Sequence, residues 1–260
     1  MIKVSEKLKF SVLTPTYNSE KNILNNILSV QSQKYKNLEH IIIDNVSEDK
    51  TLEIINNNSH SNLKILHEKD KGTYDALNKG IKKASGDIIS ILHSDDFYYS
   101  DDTLENVVNF FCDEDLEGVY GDLIYVDGIK DHPIRYWKSN TYKNGLFNKG
   151  WAPPHPSLFL KRSLFENYGY FNIEQGNSAD FELMRRFIEK KKIKTKYINQ
   201  VFVVMRYGGQ SNKSIKNIIK QNYTIIKILG LQKNVLGLLR YISFKIINRF
   251  KQFLSRNKFK

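Results

Sequence analysis

Short apolar runs recur through the first hundred residues and are separated by polar segments. Four of these runs are rich in β-branched residues and have the length of a buried strand; they are residues 10–14, 38–43, 63–66 and 88–92. Pro15 ends the first run. The pattern predicts four short strands of one sheet.

Helical periodicity fills the intervals between these runs. The apolar positions of residues 23–28 share one face of a helix, which Asn18 or Ser19 would cap. Residues 51–57 and 75–84 also predict helices. Strands and helices that alternate with short connections predict an α/β fold whose mostly parallel central sheet is flanked by helices.

The pattern changes in the second half of the chain. Residues 119–127 and 134–137 predict a β-hairpin around Asp127-Gly128. A proline-rich loop at 151–156 then precedes a helix that opens at Asp180.

Charge divides the chain unevenly. The net charge is +12, yet residues 190–260 hold 18 Lys and Arg and no acidic residue. We therefore expect a main domain over 1–212 and a basic tail over 213–260. Apolar residues in the tail recur at spacings of three or four and predict an amphipathic helix; they are Leu239, Ile242, Ile246, Phe250 and Phe253.

A basic amphipathic helix suits an anionic membrane surface. The alternative is a helix that packs on the main domain and leaves a basic face in solvent. The sequence contains no nucleic-acid-binding motif, so no nucleic-acid partner is expected.

Composition narrows the class of protein. The 260 residues are 40% hydrophobic, as in a folded globular chain, and the single Cys112 excludes a disulfide framework within the chain. The N-terminus has no signal-peptide core, and no apolar run approaches the roughly 18–20 residues that cross a bilayer. We expect a cytoplasmic protein, with peripheral attachment to the inner face of the membrane as a further option.

Polar clusters follow three of the predicted strands. They occupy residues 14–18, 44–49 and 93–96. Parallel sheets bind ligands beyond the carboxyl ends of their strands, so these clusters predict one binding site at one sheet edge.

Ser94-Asp95-Asp96 carries the most specific chemistry. Adjacent carboxylates repel each other unless hydration or a cation holds them, and hard oxygen ligands suit Mg²⁺ or Mn²⁺. Such ions normally also bind phosphate oxygens of a substrate. The alternative is a plain turn or helix cap.

Four motifs in order resemble family 2 glycosyltransferases, and the resemblance spans roughly residues 8–212. They are residues 12–18 (VLTPTYN), 42–51 (IIDNVSEDKT), 71–80 (KGTYDALNKG) and 86–96, which ends in SDD. The resemblance implies a GT-A fold, Rossmann-like and nucleotide-binding, and inversion at the transferred sugar. It also implies a sugar nucleotide as donor.

The resemblance assigns the donor site residue by residue. The nucleotide pocket would be lined by Thr14, Pro15, Thr16 and Tyr17. Asp44 would accept a hydrogen bond from the base, commonly uracil, although it could instead cap its strand.

Further along, the ribose or diphosphate would be bordered by Lys71, Asp75 and Asn78. Asn78 could instead only cover a helix face. Asp95 would lie by the ribose and the metal, and Asp96 would bind the metal.

One position departs from the family pattern. His93 stands where the family often has another Asp, so the full metal ligand set stays open. His93 could bind metal, but a lone histidine is more often structural.

The resemblance also implies a general base, which inverting transfer needs to deprotonate the acceptor hydroxyl. Asp180, at the start of a predicted helix, matches that position, with Ala179 in place of the usual Glu. Glu182 is the reserve candidate, and Asp180 could instead only cap the helix.

Residues 197–204 predict a further strand, and Arg206 behind it could supply charge to the diphosphate. Gly208 and Gly209 behind it could let backbone amides approach phosphate, or the segment is a plain turn.

The acceptor side is less distinct. Trp151 and His155, in the proline-rich loop, are the candidates for contact with an acceptor sugar. Trp137, Tyr125 and Tyr136 are further aromatic candidates for which core packing is the alternative, and packing is favoured for Tyr136. Gly121-Asp122 could face the same cleft.

The sequence therefore predicts an inverting glycosyltransferase of the hexosyl- or N-acetylhexosaminyl-transferase type. It would move sugar from a nucleotide-diphosphate donor, with UDP favoured, to a hydroxyl of a glycan or lipid-linked acceptor. Bacterial surface polysaccharide synthesis is the expected setting. A nucleotidyltransferase and a non-catalytic sugar-nucleotide-binding protein are the alternatives, and the sugar, linkage and oligomeric state stay open.

Overall fold

The computed structural model describes residues 8–113, 115–128, 130–207 and 215–254. The strands are β1 Phe10–Thr16, β2 Leu38–Asp44, β3 Leu63–His67, β4 Ile88–Ile91, β5 Phe97–Tyr98, β6 Gly118–Val126, β7 Pro133–Trp137, β8 Leu158–Lys161 and β9 Thr195–Arg206. The helices are α1 Ile23–Gln31, α2 Thr51–Asn57, α3 Thr73–Lys83, α4 Thr103–Asp113, α5 Ser163–Tyr168, α6 Ala179–Met184, α7 Ile215–Leu229 and α8 Val235–Leu254.

Strands β3, β2, β1 and β4 lie side by side in this order and are all parallel. The four apolar runs therefore form the predicted parallel sheet. The carboxyl ends of β1, β2 and β4 all fall at one edge, because parallel neighbours end on the same side of a sheet.

The other half of the sheet is mixed rather than parallel. Strand β8 pairs antiparallel with both β4 and β6, and β9 runs parallel to β6. The predicted hairpin is confirmed: β6 and β7 pair antiparallel on either side of Asp127-Gly128. The short β5, directly after Asp95-Asp96, pairs antiparallel with β9.

The predicted cap of the first helix is wrong. Helix α1 begins at Ile23, and Asn22 precedes it without a side-chain cap. Asn18 and Ser19 lie in the preceding loop. Asn18 has a left-handed backbone with φ 47°, and its side chain accepts the backbone N–H of Glu48 instead of capping the helix.

Helices cover both faces of the sheet and bury apolar clusters against it. One cluster packs α3, α5 and α6 against the sheet, another packs α4 against β1, β6 and β9, and a smaller one lies under α1 and α2. Strands β1 and β2 are buried along their whole length, as expected for a sheet covered on both faces.

The predicted tail lies on the main domain. Helix α7 packs on α6 and the turn before it, and α8 packs on β7 and on the turn at Phe147–Lys149. Helix α8 meets the domain with polar side chains and turns its apolar residues outward. The sequence alternative is a helix that packs its apolar face on the domain and leaves a basic face in solvent. In the structure the apolar face is the one in solvent. No helix among the described residues is long and apolar enough to cross a membrane.

A buried polar network supports the end of β1. His40 Nε2 lies 2.9 Å from Thr14 Oγ1, and Thr14 Oγ1 donates to Asn26 Oδ1 at 3.3 Å. His40 Nδ1 is buried and has no partner among the described residues. Burial, with a contribution from His60, lowers the pKa of His40 from 6.5 to about 3, so His40 is neutral in the folded protein at pH 7.

The His40 network predicts an acid-sensitive stability. The unfolded chain binds a proton near pH 6.5 and the folded chain does not, so stability is lost as the pH falls below 6.5 toward the folded pKa of about 3. Between pH 6.5 and about 5, His40 should account for about 2 kcal/mol of lost unfolding free energy. Urea titrations of the wild type and His40→Gln over this pH range measure the free energy of unfolding. If that free energy falls equally with pH in both proteins, the prediction is contradicted.

Candidate active site

Hydrogen bonds join the loops that follow β1, β2 and β4 into one rim. Ser19 Oγ lies 2.9 Å from Ser94 Oγ, which connects the β1 and β4 loops. The backbone N–H of Asn18 donates to Ser47 Oγ, which connects the β1 and β2 loops. Asn26, from α1, donates to the carbonyls of His93 and Asp96 and so fixes the turn that carries the paired carboxylates. The three predicted polar clusters therefore form one site.

Asp96 is the most unusual side chain of this rim. It is fully buried, and neither carboxylate oxygen has a hydrogen-bond partner among the described residues. Burial and the neighbouring Asp95 raise its pKa well above the ordinary value, while the charge of Arg206 opposes them. A buried carboxylate without donors is costly unless a cation or proton joins it.

These carboxylates fit the predicted divalent metal. Asp95 is half-buried beside Asp96, and both offer the hard oxygen ligands that Mg²⁺ and Mn²⁺ prefer. No group of three or more metal-ligating side chains occurs in the part of the chain that the structure describes. Two protein carboxylates match ions that complete their shell with water and substrate phosphate.

Arg206 lies at the carboxyl end of β9, next to this pair. Its guanidinium is held by Asp131 at 2.9–3.0 Å and by the ring of Phe97, and it reaches the Asp95 carbonyl at 3.4 Å. The structure thus places this predicted cation beside Asp95 and Asp96. Gly208 and Gly209 lie outside the described residues.

The predicted nucleotide-pocket residues continue β1 into the rim. Thr14 and Pro15 are buried, and Thr14 belongs to the His40 network. The Thr16 hydroxyl is buried without a partner among the described residues, whereas Tyr17 is exposed. The exposed Tyr17 and the unpaired hydroxyl of Thr16 are the groups of this strand end that a ligand could use.

Asp44 is fully buried at the end of β2. It accepts hydrogen bonds from the backbone N–H and hydroxyl of Ser47, and His67 Nδ1 lies 2.7 Å from Asp44 Oδ2. Strand-end capping therefore describes much of its bonding. Its role toward a base stays a prediction.

Two of the residues predicted near the ribose or diphosphate have structural partners. Asn78 clamps Phe171 through both amide atoms, at 2.9 Å each. Asp75 accepts the backbone N–H of Lys71 and lies 3.7 Å from Lys79 Nζ. Because both amide atoms of Asn78 bind the Phe171 backbone, its geometry favours a structural role in joining α3 to the segment before α6.

Asp180 meets the carboxylate rim through two histidines. His155 Nδ1 lies 3.2 Å from Asp180 Oδ2, and His155 Nε2 lies 3.0 Å from His93 Nε2. His93 directly precedes Ser94-Asp95-Asp96. The predicted base and the predicted metal site therefore belong to one site, joined by a His93–His155–Asp180 chain.

Burial controls the protonation of this chain. It lowers the pKa of His93 and His155 to about 4, with His155 adding to the effect on His93, while Asp95 and Asp180 oppose it. Burial also raises the pKa of Asp180 above its ordinary value. With Asp180 ionised and both histidines neutral, His155 can turn its Nδ1–H toward Asp180 Oδ2 and accept the Nε2–H of His93.

Three comparisons bear on the class of protein. The model of the family described as glycosyl transferase family 2 matches residues 11–192. This chain belongs to glycosyltransferase family 2. A PGL/p-HBAD biosynthesis glycosyltransferase of Mycobacterium tuberculosis is 28% identical over 245 residues, which cover 92% of this chain and 93% of the relative. An uncharacterized glycosyltransferase of the same species is 30% identical over 182 residues, covering 68% and 67%.

Solved structures support the GT-A fold of this family 2 glycosyltransferase. Residues 1–349 of TarS from Staphylococcus aureus, in complex with UDP, match with a TM-score of 0.61 and 19% identity, covering 90% of this chain and 68% of that fragment. The mannosyltransferase PcManGT of Pyrobaculum calidifontis, in complex with GDP-Man and Mn²⁺, matches with a TM-score of 0.63 and 22% identity, covering 86% and 63%.

The aromatic candidates of this glycosyltransferase are mostly packed. Trp151 is buried against Tyr120, Tyr142 and Phe147, so its ring faces offer no open stacking surface. Its indole N–H is buried and unpaired within the described residues. Of the two acceptor candidates in the proline-rich loop, His155 is the one that contacts Asp180.

The remaining aromatic candidates also have neighbours in the fold. Tyr125 and Trp137 stack on each other, and Arg135 lies over both rings. Tyr136 is buried and donates its hydroxyl to Asp122.

The expectation that Asp122 faces the acceptor cleft is wrong. It is fully buried and also accepts from Tyr197 and from the backbone of Ser139. Three donors bind this carboxylate inside the sheet, where it joins β6, β7 and β9.

Sequence reasoning missed three supports of the site. Asn26 holds the turn that carries Asp95 and Asp96. His67 holds Asp44, and Asp131 holds Arg206. His67 ends β3 at the same edge as Asp44, so its strand-end position was a usable signal. A separate cleft of about 430 Å³, lined by Tyr99, Lys138 and neighbouring residues, contains none of the predicted site residues apart from Tyr136.

Asp96→Asn should separate metal binding from folding. The amide keeps the shape of the protonated carboxyl, so the melting temperature without metal should stay within a few degrees of wild type. The stabilisation by Mn²⁺ with UDP should disappear, because a neutral amide cannot replace an anionic ligand. Thermal shift with and without Mn²⁺ measures both. An undiminished Mn²⁺ effect would contradict the assignment of Asp96.

His155→Gln should slow the reaction while sparing the donor site. Without the imidazole, the Asp180 carboxylate loses a contact that fixes its orientation, and misplacement of about 1 Å can reduce turnover roughly a hundredfold. Steady-state UDP release and UDP affinity are the two measurements. His132→Gln is the control, because His132 is exposed and lies by Asp127 in the hairpin. Equal activity of both variants would exclude a positioning role for His155.

Proposed function

We propose that this chain is an inverting glycosyltransferase that uses a UDP-sugar. Its donor site is the rim at the carboxyl ends of β1, β2 and β4, and its base is Asp180. The observation that carries the proposal is the contact chain from Asp180 through His155 to His93, which puts the base beside the paired carboxylates.

On the donor side, Asp95 and Asp96 would hold the divalent metal. That ion supplies positive charge to the diphosphate leaving group. Arg206, fixed by Asp131, adds a cation at the same rim. Thr16 and Tyr17 offer an unpaired hydroxyl and an exposed ring to the nucleotide, and Asp44 would accept from uracil.

On the acceptor side, Asp180 removes the proton from the attacking hydroxyl. The carboxylate must be ionised to do so, and burial raises its pKa. A higher pKa makes a stronger base, because the proton it accepts is held more firmly. His155 holds Asp180 Oδ2, which leaves Oδ1, bonded to the backbone N–H of Phe181, on the other side of the carboxylate.

Glu182 fits the role of base less well. Both of its carboxylate oxygens bind the Arg186 side chain, at 2.9 and 3.1 Å. Both oxygens are already occupied by the guanidinium, so Asp180 is preferred over the reserve candidate.

We place the enzyme in the cytoplasm, peripheral to the inner face of a bacterial membrane, in surface polysaccharide synthesis. The acceptor would be a hydroxyl of a glycan or lipid-linked glycan. Relatives in bacteria named as biosynthesis glycosyltransferases support this setting. Structural neighbours bound to UDP, UDP-GlcNAc or GDP-Man support a nucleotide-diphosphate sugar as donor, and the choice of UDP rests on the family resemblance at Asp44.

Asp180→Asn should reduce UDP release from the preferred UDP-sugar by roughly 10²–10⁴-fold, the usual contribution of a general base. Donor affinity should stay near wild type, because Asp180 lies on the acceptor side. A panel of UDP-sugars with Mn²⁺ provides the assay, and thermal shift provides donor affinity.

Glu182→Gln is the matched control and should keep most of the activity. An inactive Glu182→Gln together with an active Asp180→Asn would reverse the assignment of the base. No binding of any sugar nucleotide by folded wild-type protein would contradict the proposed function itself.

A further inference from the structure

Helix α8 meets the domain through a polar seam, which we define as Tyr241, Lys245 and Gln252. Tyr241 is buried, and Lys245 Nζ donates to Asn222 Oδ1 at 2.6 Å and to the Tyr241 hydroxyl at 3.1 Å. Gln252 accepts from Arg135 Nε at 2.8 Å. These residues recur at spacings of four and seven, so they lie on one side of the helix.

The opposite side of α8 is apolar and faces outward. Leu236 is 80% exposed and Phe250 is 64% exposed. The outward face comprises Leu236, Leu239, Ile246, Ile247, Phe250 and Leu254, all exposed. A packed helix normally buries its apolar side, so a contiguous outward apolar face indicates a binding surface.

Basic residues flank this outward face. On a helix of 3.6 residues per turn, Arg240 and Lys251 fall on one side of the apolar arc and Arg249 on the other. The chain has no acidic residue from 190 onward. An apolar arc between lateral cations is the arrangement of helices that lie in the headgroup region of an anionic bilayer.

Charge also distinguishes between the candidate occupants. A second copy seated on this face would bring an equally basic helix against Arg240, Arg249 and Lys251, and like charges in a desolvated interface repel. An anionic lipid surface is complementary in both charge and apolar character. It is the occupant that the described residues favour.

The helix is closely joined to the acceptor side of the site. Gly150, with φ +68°, lies against the backbone of Lys245; a Cβ at Gly150 would be 3.0 Å from the Lys245 Cβ and 3.1 Å from its Cα. The next residue begins the loop that carries His155. A surface bound by α8 would therefore lie close to the loop whose His155 contacts Asp180.

We propose that the outward face of α8 docks on an anionic lipid bilayer, with its apolar residues in the headgroup region and its lateral Arg and Lys on acidic headgroups. The membrane location assigned under the proposed function gives this surface its purpose. The docking itself is independent of sugar transfer and is measured without donor or acceptor.

Vesicle sedimentation tests the proposal. Full-length protein is mixed with vesicles of phosphatidylglycerol and phosphatidylcholine in equal parts, or of phosphatidylcholine alone. Wild type should bind the anionic vesicles, release with added salt, and bind neutral vesicles at least about tenfold more weakly. Equal binding to both vesicles, or none to either, would overturn the proposal without any variant.

Ile246→Glu with Phe250→Glu should lower anionic-vesicle binding at least about tenfold. The matched control is Leu24→Glu with Leu28→Glu, two exposed apolar residues on α1, which should bind as wild type does. UDP-induced thermal shift checks that each variant keeps the donor site. Unchanged binding by the α8 variant would overturn the proposal.

Light scattering covers the other occupant. A wild-type dimer that the α8 variant converts to monomer, without loss of lipid binding, would assign the face to a second copy and overturn the proposal. If the wild-type protein does not bind UDP, that result would count against the proposed function. The vesicle measurement would still decide whether the outward face of α8 binds lipid.

Discussion

The site depends on one constraint, the buried carboxylate of Asp96 at the edge where three parallel strands end. Its oxygens are desolvated without a protein donor among the described residues, so the fold leaves a strong demand for a cation or proton at that point. The surrounding hydrogen bonds serve to keep it there. Asn26 holds the turn from α1, and Ser19 joins it to the β1 loop.

The mixed half of the sheet supplies a positive charge, and the segments between its strands supply the proposed base. Strand β9 presents Arg206 at the rim, the loop before β8 carries His155, and helix α6 carries Asp180. The internal carboxylate of Asp122 ties this half together through Tyr136, Tyr197 and Ser139. The proposed donor residues and the proposed base therefore come from both halves of the sheet.

The parallel half was predictable because its apolar runs, its turns and its polar strand ends are all local signals. The order of motifs also led to Asp95, Asp96 and Asp180. What local patterns could not give were contacts between distant segments: the pairing of His93 with His155, the use of Asn78 to clamp Phe171, and the burial of Asp122. The periodicity of α8 predicted its apolar face correctly, but only tertiary packing decided that this face points outward.

Direct displacement driven by Asp180 should invert the configuration at the anomeric carbon of the transferred sugar. Proton NMR of the first sugar released from an α-linked UDP-sugar, with water as acceptor, tests this inversion. The coupling constant of the anomeric proton, read before mutarotation, distinguishes the two outcomes. We expect β-sugar as the first product; α-sugar as the first product would contradict the proposed mechanism.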